Sequence, residues 1–143
     1  MNELRDGILE RLEPLTLGKL HGYERYSRNA AKLAECYQYQ GRLEGGFLRR
    51  LSARVTPGSS LGNRRRQEFE LTLLRSFEDE KESELLFDSA IDRVIAEFAN
   101  DHKLWNWSCA VGERLGFELV RNSPAMFAGV LVHYAVLRIT FIH

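Results

Sequence analysis

The chain has 143 residues, of which 44% are hydrophobic and 28% charged. This length and apolar content suit one globular domain, residues 1–143, and exclude a disordered tail, a collagen-like fibre and a disulfide-stapled miniprotein. Lysine plus arginine and aspartate plus glutamate each total 20, so no net charge draws the whole molecule to nucleic acid or to an anionic membrane.

The first predicted elements are two helices. Apolar residues recur at helical spacing between Asn2 and Leu15, which indicates a helix lying on a core: Leu4, Ile8, Leu12 and Leu15. A second helical pattern runs from Ser27 to Gln38 with Ser27 as its candidate cap.

Two strands joined by a long loop are predicted next. The strands cover residues 46–55 and 67–77, and the loop runs from Thr56 to Arg66 with glycine, proline and asparagine in it. In the second strand Phe69, Leu71 and Leu73 alternate with polar residues. This alternation is typical of a half-buried strand.

A long helix and a final strand complete the prediction. The helix covers Ser83 to Asp101, and the segment Phe127 to His143 is dense in β-branched and aromatic residues, as in a strand central to a sheet. A shorter strand or hairpin is expected between them, containing Trp105, Trp107, Phe117 and Leu119. The order of elements predicts an α+β fold. An antiparallel or mixed β-sheet would carry the N-terminal helix and the long central helix on one face.

The chain has few residues in arrangements that carry chemistry. Its four histidines lack metal-ligand spacing, and it has neither a glycine-rich phosphate loop nor a nucleophile elbow. We therefore predict no catalytic residue, no metal and no cofactor. His133 is expected to be a hydrogen-bonded or surface side chain, and Cys36 and Cys109 to be small buried hydrophobes in a reducing compartment. No run has the pattern of a signal peptide or a transmembrane helix.

Charge is divided unevenly along the chain. Residues 42–66 hold seven arginines and one glutamate, a balance of +6, and residues 78–92 hold seven acidic residues and one lysine, a balance of −6. The two segments could pair within the fold, pair between neighbouring copies, or leave the basic segment to contact nucleic acid. Candidate contact residues for a partner or a DNA channel are Arg64, Arg65 and Arg66. Candidate inter-subunit residues are Arg49, Arg50, Arg54, Glu78, Asp79, Glu80, Glu82 and Glu84.

The layout resembles the tail terminator, or tail completion, proteins of long-tailed bacteriophages. The resemblance lies in the order of elements: the helix at residues 2–12, two strands with a long loop, the strand at 68–73, an acidic connection, one long helix and the terminal strand at 135–141. It covers about two thirds of the chain, residues 2–15, 47–104 and 127–143, and no invariant binding motif belongs to it. The segment from Lys19 to Gly46 departs from the pattern.

The resemblance implies a non-enzymatic virion protein that is assembled in the host cytoplasm. It would form a homo-oligomeric ring, usually of six copies, on the last ring of the tail tube. There it would stop tube growth and bind the head connector or another neck protein, with DNA passing through the lumen. No membrane contact is implied.

Three alternatives remain open at this stage. A head completion or adaptor protein would also assemble as a ring without catalytic residues, and length and charge do not distinguish it from a terminator. A small nucleic-acid-binding module would use the arginine-rich loop, although neutral net charge and the lack of a recognised motif speak against it. An enzyme would need distant residues to converge in the fold.

Overall fold

Three long strands form the centre of a mixed β-sheet. The computed structural model describes residues 3–58 and 62–143. The strands are β1 (Lys19–His21), β2 (Gln38–Tyr39), β3 (Arg42–Thr56), β4 (Arg64–Ser76), β5 (Lys103–Leu104), β6 (Trp107–Ser108), β7 (Ala110–Val111), β8 (Arg114–Leu115), β9 (Glu118–Phe127) and β10 (Val130–Ile142). The helices are α1 (Glu3–Leu12), α2 (Ala30–Glu35) and α3 (Ser83–Asn100), with short 3-10 turns at Glu13–Leu15 and Asp79–Lys81.

The strand order in the main sheet is β1-β3-β4-β10-β6-β5. Strand β2 also pairs with β3, β9 also pairs with β10, and β7 and β8 form a separate two-stranded sheet. β1 runs parallel to β3, and the long neighbours β3, β4, β10 and β9 are antiparallel. The predicted α+β fold with a mixed sheet is confirmed.

The main core lies between the sheet and the two longer helices. Leu4, Ile8 and Leu12 of α1 and Phe87, Ile91, Val94 and Phe98 of α3 are buried in one cluster with alternate residues of β4 and β10. Each such buried side chain contributes about 1.5–3 kcal/mol relative to an exposed one. We call this side of the sheet the helix face.

A smaller core covers the other side, which we call the second face. Tyr37, Phe47, Leu74 and Val132 are buried there, with residues of the short helix α2 packed against them. Leu73 and Leu74 follow each other along β4 and both are buried, one in each cluster. The centre of β4 is thus covered on both faces, although its sequence predicted a strand buried on one.

Two predicted elements are confirmed with changed bounds. The second helix is only Ala30–Glu35, and its cap is Asn29 rather than Ser27, because the Asn29 side chain accepts hydrogen bonds from the backbone N–H groups of Ala31 and Lys32. The last strand starts at Val130 rather than Phe127, because a left-handed turn at Ala128 and Gly129 separates it from β9. Its central position, between β4 and β9, is as predicted.

The predicted hairpin after the long helix is wrong in part. Trp105 and Trp107 belong to a small hairpin formed by β5 and β6. Leu119 lies in a strand, as predicted, but in the separate ten-residue strand β9, which is longer than expected, and the buried Phe117 lies just before it. β9 contains Pro124 and is exposed along most of its length, so it lacks the apolar alternation by which strands are recognised.

The predicted loop from Thr56 to Arg66 is wrong at both ends. Thr56 is the last residue of β3, and Arg64, Arg65 and Arg66 are the first three of β4. Residues 59–61 of that predicted loop, like the predicted helix start at Asn2, lie outside the described residues. We call the paired segments 50–56 and 64–69 the arm. Among the described residues, no helix is both long and apolar enough to cross a membrane.

Candidate functional site

Most arginines of the basic segment lie away from the acidic segment along the β3–β4 pair, but Arg42, the first residue of β3, lies 3.6 Å from Glu78 at the acidic end. Glu44 is registered with Arg75 at one end, and Thr56 is registered with Arg64 at the other. Eleven residue steps of β4 at about 3.3 Å each separate these ends by roughly 36 Å. The chain leaves β4 at the first end and runs directly into the acidic segment, so the tip of the arm is remote from it.

A cluster of internal ion pairs occupies the base of the acidic end. Glu44 accepts hydrogen bonds from Arg42 at 2.9 Å and from Arg75 at 3.2 Å. Glu78 lies 3.6 Å from Arg42, 3.7 Å from Arg75 and 3.1 Å from Lys81. The hydrogen bond from Lys81, with the positive charges around it, lowers the pKa of Glu78. Glu78, a predicted inter-subunit residue, therefore already has partners within its own chain.

The other predicted acidic residues remain exposed. Asp79, Glu80, Glu82 and Glu84 make no ion pair with any residue that the structure describes. Three of them, Asp79, Glu82 and Glu84, line a groove of about 420 Å³. Phe77 and Leu85 add apolar surface to the same groove, and Leu85 is 60% exposed. This acidic groove offers carboxylates beside an apolar floor.

A buried serine–histidine pair borders the acidic groove. The hydroxyl oxygen of Ser83 lies 2.8 Å from Nε2 of His133, and the ring of His133 stacks on that of Phe77 with the centroids 3.8 Å apart. Burial lowers the pKa of His133. The expectation that His133 is hydrogen-bonded is confirmed; Ser83 and His133 are 2% and 6% exposed.

The arginines of the arm divide between the two faces of the sheet. Arg54 and Arg66 are registered opposite each other, and Arg66 is also registered with Ile142 of β10, which places these side chains on the second face. Arg50 is registered with the core residue Phe69, and Arg65 lies one residue before Arg66, so both belong to the helix face. Adjacent arginines in the sequence thus point in opposite directions.

A second groove, of about 360 Å³, lies at the tip of the arm. Its lining consists of Arg54, Thr56, Arg64, Arg65, Arg66, Ile142 and His143. None of these described side chains is acidic. We call it the basic groove. Arg49, by contrast, lies near the middle of β3, where it is 3.6 Å from Glu24.

The structure brings together only some of the predicted site residues. Arg54 joins the three arginines of residues 64–66, whereas Arg49 and Glu78 are engaged elsewhere. Sequence reasoning missed Ile142 and His143 in the basic groove and His133 beside the acidic groove. No local signal points to them, because they reach the grooves through pairing of β10 with β4.

The remaining chemical groups offer little for catalysis or metal binding. Cys109 is buried as predicted, and burial raises the pKa of its thiol, whereas Cys36 is only half-buried, since it lies just after the short helix α2. No group of three or more histidine, cysteine, aspartate or glutamate side chains is placed to hold a metal in residues 3–58 and 62–143.

Comparison with known proteins does not assign the chain to a family. No protein-family model matches the chain, and a search of the curated proteins finds no match.

Proposed function

We propose that this chain is a non-enzymatic virion structural protein that assembles head to tail into a ring at the head-proximal end of a phage tail tube. The ring would end tube growth and join the tail to the head connector. The observation that carries this proposal is the separation of the arginines in the basic groove from the exposed carboxylates of the acidic groove by the length of one β-hairpin.

The separation favours contact between copies over contact within one. The tip of the arm at Arg64 and the acidic end of the hairpin at Arg75 lie roughly 36 Å apart, which is eleven residue steps of about 3.3 Å, so the charges at the tip are beyond a Debye length of about 8 Å from the acidic end. A second copy can bring its arm to the acidic groove of the first. Such a contact joins different surfaces of two identical chains, and it closes into a ring when the rotation per copy divides a full turn.

The helix face of the arm has the composition that this contact needs. Arg50 and Arg65 are exposed there, and Val55, registered with Arg65, is 61% exposed. The acidic groove pairs carboxylates with the apolar side chains of Phe77 and Leu85. Complementary charge would fix the register, while apolar burial would supply most of the binding free energy.

Exposed apolar residues on the last two strands support a larger subunit interface. Met126 is registered with Leu131, and they are 66% and 48% exposed. Their side of the sheet borders the acidic groove, where Pro124 is registered with His133. Apolar side chains exposed next to one another are typical of surfaces that another subunit covers.

Charge-exchange variants test the head-to-tail contact. We expect the wild type to form particles that are multiples of its 16.5 kDa mass, measured by light scattering after size exclusion and seen as rings in negative stain. The acidic variant Glu82→Lys/Glu84→Lys and the basic variant Arg50→Glu/Arg65→Glu should each remain small. Mixed together they should assemble again, because alternating copies restore both kinds of contact.

A matched control makes the same change of charge as the basic variant, but at positions outside both grooves. Arg28 and Arg114 are exposed and lie outside both grooves, so Arg28→Glu/Arg114→Glu should assemble like the wild type. A wild type that stays at the monomer mass at every concentration would contradict self-assembly. A mixture that fails to recover would contradict the proposed pairing of arm and acidic groove.

Purified phage components test the place of the ring in the virion. We expect the assembled protein to sediment with tail tubes that lack a terminator and to stop their further growth. Binding to head connectors without any binding to tubes would assign it instead to the head completion or adaptor class. Binding to neither would overturn the virion role even if rings form.

A further inference from the structure

The basic groove holds several arginines for which the described part of the chain provides no ion-pair partner. Arg54 and Arg66 face each other across β3 and β4, and Arg64 lies in the next row of the same face, registered with Thr56. Cβ atoms of directly opposite residues on antiparallel strands are about 4.5–5.5 Å apart, and like charges in such positions destabilise the sheet.

The acidic side chain nearest in register on this face, that of Glu68, forms no ion pair with these arginines. Glu68, registered with Ser52 and Thr140, lies one row away from Arg66, about 7 Å along the strand. None of Arg54, Arg64 and Arg66 forms an ion pair with a residue in the described ranges. The positive charges therefore remain available to an anion from outside the chain.

We propose that the basic groove binds phosphate groups. Three guanidinium groups can each offer a planar pair of N–H donors, which matches the oxygen geometry of phosphate, and the hydroxyl of Thr56 adds a neutral donor. An anion placed between Arg54 and Arg66 turns their mutual repulsion into two attractions. At about 360 Å³ the groove has room for a phosphate or pyrophosphate unit and for a segment of a polynucleotide backbone.

This inference does not depend on ring formation. It rests on Arg54, Arg64 and Arg66 on the second face of the arm, whereas the proposed contact between copies uses Arg50 and Arg65 on the helix face. Arg65 also lines the basic groove. The variant Arg54→Gln/Arg66→Gln leaves Arg50 and Arg65 unchanged, so it tests the groove without altering the proposed contact between copies.

Binding of labelled oligonucleotides and of pyrophosphate tests the proposal. Fluorescence anisotropy with single-stranded and duplex DNA measures the first, and the rise in unfolding temperature with added pyrophosphate measures the second. For Arg54→Gln/Arg66→Gln we expect DNA binding about tenfold weaker, and a salt dependence whose log–log slope is less steep by about 1.4 for a single strand. The stabilisation by pyrophosphate should disappear in the same variant.

The control variant Arg28→Gln/Arg114→Gln carries the same net charge change outside the groove. It should bind DNA and pyrophosphate like the wild type, and circular dichroism should show that both variants are folded. Loss of pyrophosphate binding alone, in a protein that does not bind DNA, supports the groove as a site for a small phosphate compound. Loss of both supports a nucleic-acid backbone.

Three outcomes overturn the proposal. The first is a wild type that binds neither DNA nor pyrophosphate. The second is a groove variant that binds both as tightly as the wild type does. The third is a control variant that loses as much affinity as the groove variant. A synthetic peptide of residues 78–92 that binds the groove when neither phosphate ligand does would show that the groove recognises carboxylates of another copy instead.

Discussion

The hydroxyl oxygen of Ser83 lies 2.8 Å from Nε2 of His133, fifty residues further along the chain. The same oxygen accepts a hydrogen bond of 2.9 Å from the backbone N–H of Glu78. Ser83 begins α3 and His133 lies in β10, so the pair ties the start of the long helix to the centre of the sheet. Which of the two donates depends on which ring nitrogen carries the proton.

This pair predicts a loss of stability at acidic pH. Burial lowers the pKa of His133 below its usual 6.5, the nearby carboxylates of Glu84 and Asp88 partly oppose that effect, and Arg75 adds to it. The unfolded chain therefore binds the proton more readily than the folded chain, so the contribution of the neutral imidazole is present above about pH 6.5 and is lost as the pH falls below that value.

Urea unfolding between about pH 7.5 and pH 5 measures the effect. The variant His133→Gln keeps a hydrogen-bonding side chain but does not titrate, so its free energy of unfolding should fall less over this range than that of the wild type. Equal slopes in the two proteins would show that His133 is not the group responsible.

The ion pairs at the acidic end predict a large loss of stability when one of their carboxylates is replaced by an uncharged amide. Arg75 is 9% exposed, and Glu44 accepts hydrogen bonds from it and from Arg42. We expect Glu44→Gln to lower the free energy of unfolding by about 3 kcal/mol, because it leaves a buried guanidinium with less compensation.

An exposed pair provides the comparison for this substitution. Glu118 lies 3.6 Å from Arg114 with both side chains more than half exposed, so Glu118→Gln should cost less than about 1 kcal/mol. Chemical denaturation measures the free energy of unfolding of both variants and shows whether the loss in Glu44→Gln is the larger one. Similar small losses would mean that water compensates the charge of Arg75.

Close contact between strands makes Gly46 intolerant of a side chain. A Cβ atom at this position would collide with the carbonyl oxygen of Thr72 on the neighbouring strand. We expect Gly46→Ala to destabilise the protein by about 3 kcal/mol, the upper end of overpacking effects. At Gly112, with φ +61° and no atom within 4 Å of the added Cβ, alanine should cost only the left-handed strain of about 1–2 kcal/mol. A Gly46→Ala variant as stable as Gly112→Ala would refute the contact.

Repulsion across the arm predicts a stabilising substitution. Arg66→Glu places a carboxylate opposite Arg54, so we expect a gain of about 0.2–1 kcal/mol in the free energy of unfolding. The measurement belongs in a phosphate-free buffer at low ionic strength, and the gain should shrink as salt is added. Arg28→Glu, which has no opposite arginine in the sheet, is the control. A loss of stability in Arg66→Glu would mean that the two side chains already avoid each other.

Local periodicity predicted the elements that carry strong patterns. α1 and α3 have apolar residues at helical spacing along their whole length, and both pack on the helix face as expected. β9 and the short α2 were missed or misplaced, because β9 is mostly exposed and α2 is fixed by the single side chain of Asn29. Such elements depend on pairing and capping partners rather than on their own hydrophobic pattern.

Patterns along the chain were enough to predict the fold class, the long helix, the central last strand and the division of charge into a basic and an acidic segment. The positions of those charges in space depend on how the strands pair. Strand pairing places Arg42 beside Glu78 and the three arginines of residues 64–66 at the far end of the hairpin, and the two-residue period of a strand assigns Arg65 and Arg66 to different faces. Residues that are neighbours in the sequence can lie on opposite faces of a sheet. Strand register determines which residues share a face and which lie opposite each other. That physical difference is why the basic groove was not visible in the sequence.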